Sequence, residues 1–350
     1  MLHCLTKIIN AEVTTDSLVK ISVIVTAHDR KQYLLEALNS IISQDAGREN
    51  FEILCVKNFE DEKIDRYCET HSIKVILTAD GPLGDKMGKG IEKAEGELIS
   101  FLDDDDLFDQ QKISRILEIQ NRFPDLNYYH NSVEKIDENG IPISNSISET
   151  DPVFSTVKVS GNSCNQIGGI IRSRGDWYSS TIVVSRNVAD KAVPFLLTQS
   201  ASFDKVLFLT ALSLKGTIVL DNLKLTKYRF HESLTTISSD FHTFINKKAD
   251  FFLKSGQTFN FMMRSQAFAG IKEGLLYYKL RDDINYYVIS SSPKFVPSVR
   301  EIIFFIGFSV KRGIGINLIW PCFYFIRKFS WRIASNTYYK YNKRQLGFAD

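Results

Sequence analysis

Short β-branched runs alternate with longer stretches of helical spacing through the first hundred residues. Ile21–Ala27 (ISVIVTA) is apolar throughout, and residues 32–43 place Leu34, Leu35, Leu38, Ile41 and Ile42 on one helical face. Apolar runs recur at 51–56 (FEILCV), 73–78 (IKVILT) and 98–102 (LISFL), with a helical pattern over 61–71. Between the last two runs, residues 80–90 are glycine-rich and read as a loop, and 91–94 as a short helix. Strands that alternate with helices pair in parallel through crossover helices, so this part predicts an open, mostly parallel α/β sheet with flanking helices.

Beyond residue 102 the pattern loosens. Residues 107–122 read as a helix and 128–136 as a strand that turns at Glu138-Asn139-Gly140, whereas 142–175 are polar, weakly patterned and read as a long loop region. A strand at 179–185 (SSTIVVS), a helix at 204–214 stopped by Gly216, and a last strand from 217 to 220 lead into a closing segment at 228–238. From Phe241 onward the chain is helical and rich in aromatics. The division this predicts is a short extension (1–20), an α/β domain (21–238) and a helical, basic, aromatic region (239–350).

Composition sharpens the last of these. A chain of 350 residues at 44% hydrophobic suffices for one sizeable domain with an appendage, and a net charge of +2 gives no call for nucleic acid. The charge is uneven: from Lys294 to the end there are ten Lys and Arg against two Asp and Glu. Two apolar pieces, 302–309 and 314–326, flank Lys311-Arg312-Gly313, and both fall short of the ~20 residues a spanning helix requires. With Arg327, Lys328, Trp331 and Arg332 beyond them, they read as a segment lying on a membrane surface; packing on the core or in a homodimer is the alternative. Cys4, Cys55, Cys68, Cys164 and Cys322 form no C-x-x-C pair, which fits a reducing compartment, and the first twenty residues lack the apolar core of a signal peptide.

The candidate chemistry lies where the fourth apolar run meets Asp103, Asp104, Asp105 and Asp106. Adjacent carboxylates repel one another unless a cation is present, and Mg²⁺ or Mn²⁺ prefers such hard oxygen ligands and takes substrate phosphates as well. Asp106 and Asp109 stand where a helix is expected to begin and read as its cap and a first-turn charge, which leaves Asp103, Asp104 and Asp105 for function.

These segments resemble family 2 of the inverting, metal-dependent glycosyltransferases, over roughly residues 21–236. The resemblance is carried by ISVIVTAHDR with YLLEALNSIISQ, by GPLGDKMGKGIEKAEGELISFLDDDD, and by SFDKVLFLTALSLKG and YRFHESLTT. It implies the GT-A fold and transfer of a sugar from a nucleoside diphosphate to a hydroxyl of a glycan or lipid-linked acceptor, in cell-surface polysaccharide or glycolipid synthesis, with Mn²⁺ or Mg²⁺. It implies that Asp105 and His231 hold the metal and that Asp103 faces the ribose or the metal shell, with Asp104 in the variable middle place. Ala27, His28, Asp29 and Arg30 would wrap the nucleoside, and Gly84, Lys86 and Lys89, with Gly81, Gly88 and Gly90, would cradle the donor. Arg229 would reach phosphate oxygens, and Asp204 would be the base. Trp177 is a candidate sugar-stacking ring, with packing in the core as the alternative.

Two departures bear on this. Lys57-Asn58 stands where the family usually has base-contacting acids, which leaves Asn58 as the acceptor for a base N–H, and Phe203 replaces the first acid of the pair that ends in Asp204. A nucleotidyltransferase and a non-catalytic partner subunit are the alternative readings. The expected location is cytoplasmic, peripheral on the inner face of the cell membrane.

Overall fold

A computed structural model describes residues 20–79, 81–143, 154–160, 165–197, 201–231 and 240–345. The N-terminal extension, most of the closing segment at 228–238, Cys4 and Cys164 lie outside the described residues. Four strands, β1 (Ile21–Ala27), β2 (Phe51–Lys57), β3 (Lys74–Leu77) and β4 (Leu98–Asp103), run in parallel in the order β3-β2-β1-β4. Their crossovers are α1 (Leu34–Ile42), α2 (Glu62–Thr70), capped by the Asp61 side chain, and α3 (Leu83–Lys93).

The second half of the sheet corrects the expectation of a mostly parallel one. After β5 (Leu107–Phe108) and α4 (Lys112–Arg122) come β6 (Leu126–Ile136), β7 (Ser155–Ser160), α5 (Ile167–Arg172) and β8 (Ile182–Ser185). The domain then closes with α6 (Arg186–Leu196), α7 (Phe203–Ser213) and β9 (Lys215–Arg229). The full order is β3-β2-β1-β4-β8-β6-β9-β5, with β7 on β9. Pairs β4·β8, β8·β6, β9·β5 and β7·β9 are antiparallel, so the nine described strands form a mixed sheet.

Three local readings change as well. The glycine-rich segment forms helix α3, which Gly90 lets settle on the sheet: a Cβ there would stand 2.6 Å from Ile24 Cγ2 and 3.2 Å from Val56 Cγ2. The stretch 107–122 opens with strand β5, and α4 starts only at Lys112 with Gln111 as N-cap, so Asp106 caps nothing. The region 142–175 contains β7 and α5 among its described residues, and residues 179–181 form a 3₁₀ turn ahead of β8.

Side chains alternate along β1: Val23 and Val25 join a core under α1, α2 and α4, and Ile24 joins the larger core on the other face. That larger core continues through α6 and α7 into α8 (Phe241–Arg264), α9 (Lys272–Ile289), α10 (Val299–Lys311), α11 (Ile319–Phe329) and α12 (Trp331–Gln345). The helical region therefore buries its aromatics, such as Tyr277, Tyr278 and Phe305, against the same core as the sheet.

Candidate active site

Strands β1, β2 and β4 end level with one another, Ala27 opposite Lys57 and Thr26 opposite Asp103. From β1 the chain moves out to β2 and β3, then returns to place β4 on the other side. The crevice between the ends of β1 and β4 is thus a topological switch point, where open α/β sheets take ligands. The segment after β1 supplies His28, Asp29 and Arg30 to it, and the segment after β4 supplies the four aspartates.

The four carboxylates meet four different environments. Asp103 Oδ2 accepts from Ser179 Oγ at 2.7 Å, and its pKa is pushed up to about 7 by burial and by the charge of Asp105. Asp104 is 4% exposed, with Oδ1 on the Arg30 guanidinium; burial raises it to about 6 against the pull of that cation. Burial also pushes Asp105 up, but a hydrogen bond with His231 Nε2 at 2.9 Å and the Arg30 Nη2 at 2.7 Å outweigh it and hold the carboxyl below the usual range. Asp106 is buried, Oδ1 accepts from the Arg229 N–H at 2.9 Å, and burial with repulsion from Asp105 and Asp103 drives its pKa well up.

Asp103, Asp105 and Asp106 each bring a carboxylate oxygen within 4.8 Å of the other two. Three hard oxygens with partly suppressed ionisation fit a hard divalent cation, which would replace protons as the neutralising charge. The sequence pattern reads Asp106 as a helix cap, and the structure places it in the acidic cluster instead. The two-residue strand β5 is too short to show a period, so nothing in the pattern separated a cap from a buried carboxylate. His231 contacts the same Asp105 carboxylate, and its Nε2 is also 3.2 Å from Arg30 Nη1.

Arg229 is 3% exposed, and its guanidinium donates to the carbonyls of Asp105 (2.8 Å) and Glu138 (2.9 Å) and to Glu36 Oε2 (2.8 Å). It also lies 4.3 Å from the centroid of the Tyr33 ring. This places it beneath the acidic segment, as a clamp on the Asp105 backbone.

On the β1–β2 side, Asn58 and Asp29 pair: the Asp29 N–H donates to Asn58 Oδ1 at 3.0 Å and Asn58 Nδ2 to Asp29 Oδ1 at 2.7 Å. Asp29 has φ +57°, which turns the chain sharply after β1. Lys57 points inward, with Nζ on the Phe59 carbonyl at 2.6 Å and on Asp65 at 2.8 Å, so of the Lys57-Asn58 pair Asn58 is the half-exposed one. Lys86, buried on α3, lies 2.9 Å from His28 Nδ1, whereas Lys89 pairs with Asp85 at 2.7 Å and Gly84 sits buried in the first turn of α3.

Asp204 lies in the first turn of α7, its Oδ2 2.7 Å from Lys205 Nζ. Lys205 and Arg174 stand over the half-exposed Trp177 ring at 5.3 and 5.0 Å. The Trp177 carbonyl pairs with buried His130, which burial holds down at about 4 and so neutral. Tyr178 follows at φ +62° and packs on Tyr228, ring centroids 4.5 Å apart, next to the acidic cluster.

Residues 22–162 match the family model described as Glycosyl transferase family 2. An uncharacterized glycosyltransferase of Rickettsia felis is 36% identical over 132 residues, 35% of this chain and 20% of that protein. The minor teichoic acid biosynthesis protein GgaB of Bacillus subtilis is 30% identical over 128 residues, 35% of this chain and 13% of its own length. The crystal structure of residues 1–349 of Staphylococcus aureus TarS in complex with UDP-GlcNAc superposes with a TM-score of 0.52 at 15% identity, covering 82% of this chain and 79% of that one. TarS is named a poly(ribitol-phosphate) beta-N-acetylglucosaminyltransferase. The match spans a fifth or less of the length of the first curated relatives.

Proposed function

Because residues 22–162 make this chain a member of glycosyl transferase family 2, we propose that it moves a sugar, with inversion, from a nucleoside diphosphate sugar to an acceptor hydroxyl. The donor binds across the switch point, and Asp103, Asp105 and Asp106 hold Mn²⁺ or Mg²⁺. The ion supplies positive charge to the departing diphosphate. His231 and the Arg229 clamp fix the Asp105 side chain and backbone. Asn58, paired with Asp29, offers its amide to the nucleobase, and His28 with Lys86 flanks the path of the diphosphate. Asp204 takes the proton of the attacking hydroxyl, with Trp177 beside it as a platform for a sugar face.

The observation that carries this reading is the approach of three carboxylate oxygens within 4.8 Å at the switch point of the sheet. UDP-GlcNAc, the ligand named for the TarS complex, is the first donor to try in a panel of nucleotide sugars. Mn²⁺-dependent release of UDP should fall roughly 10²-fold or more in Asp105→Ala. Release that persists in EDTA and in Asp105→Ala across the panel overturns the reading, and turnover retained in Asp204→Ala moves the base elsewhere.

The acceptor in this reading is a hydroxyl of a glycan or of a lipid-linked acceptor in cell-surface polysaccharide synthesis; the names of GgaB, a minor teichoic acid biosynthesis protein, and TarS, a transferase to poly(ribitol-phosphate), favour a polymer acceptor. Supporting a membrane-facing location on the cytoplasmic side, α10 to α12 expose Val299, Ile303, Val310, Phe325, Phe329 and Ile333 among exposed Arg300, Lys311, Lys328 and Arg332. No described helix is long and apolar enough to cross a membrane, so the geometry fits a surface lying in the headgroup layer. The Ile303→Glu, Phe329→Glu double variant should lose sedimentation with anionic liposomes; equal pelleting with wild type ends this part of the reading.

A further inference from the structure

One turn of α9 reaches both segments that carry the acceptor-side residues. Tyr278 and Asp282, four residues apart, lie on the same face of the helix and are fully buried. The Tyr278 hydroxyl donates to Asp176 Oδ2 at 2.8 Å, and Asp176 immediately precedes Trp177. Asp176 Oδ1 has no partner among the described residues, which leaves Tyr278 as the group that fixes this buried carboxyl. Asp282 accepts from Arg281 Nε at 2.7 Å through Oδ1 and from the Ser255 hydroxyl of α8 through Oδ2.

Ser255 Oγ is in turn 2.5 Å from Ser202 Oγ. A serine hydroxyl has one proton, and an ionised carboxylate only accepts, so Ser255 donates to Asp282 and Ser202 donates to Ser255. Ser202 is the N-cap of α7, held at φ +62° and ψ +40°, and its side chain makes no capping bond to the helix it begins. A serine there normally accepts from the N–H of the second or third helical residue. Here the hydroxyl forgoes that bond and ties the start of α7 to α9. Asp204 follows two residues later.

We propose that Ser202, Ser255 and Asp282 form a positioning relay by which the helical region sets the Asp204 carboxylate, while Tyr278 sets Trp177 through Asp176. The relay rests on the assignment of Asp204 as base. The C-terminal helices are then part of the catalytic unit, and α9 is the rigid element on which the acceptor side is built.

Ser255→Ala removes the middle hydroxyl without substituting any residue that meets donor or acceptor. With Mn²⁺ and UDP-GlcNAc, kcat for UDP release should fall about tenfold while the dissociation constant of UDP-GlcNAc, measured by calorimetry, stays within about twofold. Ser255→Thr, which restores a hydroxyl, should recover the rate. In the Asp204→Ala background, Ser255→Ala should add nothing, since a relay acting through Asp204 has no target there. If Ser255→Ala does not fold, Ser202→Gly carries the same test, because glycine keeps the left-handed backbone and loses only the hydroxyl. A folded relay variant with unchanged kcat, or one whose effect persists in full without Asp204, overturns the proposal. Full turnover in Asp204→Ala itself would instead overturn the base assignment.

Discussion

Metal binding at the acidic edge should be strongly pH-dependent, and the structure gives the size of the effect. A ligating carboxylate must be ionised, so a proton held by Asp103 competes with the cation. With its pKa at about 7, Asp103 is about nine-tenths protonated at pH 6 and about one-tenth at pH 8. The apparent dissociation constant of Mn²⁺ should therefore tighten by about tenfold over that interval, about 1.4 kcal/mol, from this group alone. Asp106 is also raised, by burial and by repulsion from Asp105 and Asp103, and acts in the same direction. Titration calorimetry at pH 6, in two buffers of different ionisation enthalpy, should show about 0.9 proton released from Asp103 per Mn²⁺ bound, with release from Asp106 adding to it, and the Asp103 share should fall to about 0.1 at pH 8.

The same shifts fix the sign of the metal-free stability. Asp103 and Asp104 have folded pKa values above the unfolded one, so the native state holds their protons more tightly than the unfolded chain. Their contribution is fully present below about pH 4 and is lost as pH climbs through about 6 and 7. Asp105, held below the usual range, acts oppositely: its stabilisation is present above about pH 4 and is lost as pH falls. The rise in melting temperature on adding Mn²⁺ should consequently be larger at pH 8 than at pH 6. An affinity constant across pH 6 to 8, with no proton release, would refute the assignment of Asp103 as a protonated member of the site.

Gly90→Ala should lower the urea midpoint: overpacking against Ile24 and Val56 costs about 1–3 kcal/mol, more than the ~1 kcal/mol that alanine returns in helix propensity. A rise in the midpoint would mean that α3 is not docked as tightly as the 2.6 Å approach requires. Arg229→Lys should weaken Mn²⁺ binding about tenfold, because an ammonium cannot reproduce the three-way fork onto Asp105, Glu138 and Glu36. Unchanged affinity in calorimetry would show that the clamp does not orient Asp105.

The parallel half of the sheet is legible because each of its strands is an unbroken apolar run closed by turn residues. β8, β6 and β9 are legible as strands too, but their direction is not, since antiparallel insertion of β8 between β4 and β6 depends on a chain path that periodicity does not encode. The glycine-rich segment misleads for a physical reason: Gly88 and Gly90 look like loop chemistry, yet a Cβ on Gly90 would crowd Ile24 and Val56 of the sheet and one on Gly88 would crowd Leu197 just past α6. At the site, type and spacing located the acidic edge but could not apportion it. Four adjacent aspartates look equivalent in sequence, and only their neighbours separate Asp104 on Arg30 from Asp106 above the Arg229 amide. The Ser202–Ser255–Asp282 relay joins three elements far apart in the chain and has no local signature.

The charge balance of this edge favours a divalent ion over protons alone. Four carboxylates stand together, and among the described residues Arg30 and His231 are the side chains ion-paired with them, Arg30 with Asp104 and Asp105 and His231 with Asp105 only when protonated. Lys112 lies near Asp106, but burial drives its pKa well down, so it offers a weakened cation there. Without metal, the site resolves its excess charge by keeping protons on Asp103 and Asp106. Those protons neutralise the protein but give nothing to an incoming diphosphate, whose own negative charge would then sit against Asp104, Asp105 and the carbonyl edge of β4. A divalent ion removes both penalties at once, since it replaces the protons and remains positive toward the phosphate oxygens. The burial that raises these carboxyls thus makes the pocket inhospitable to the donor until the cation arrives, and it is the reason metal and donor are expected to bind with positive coupling.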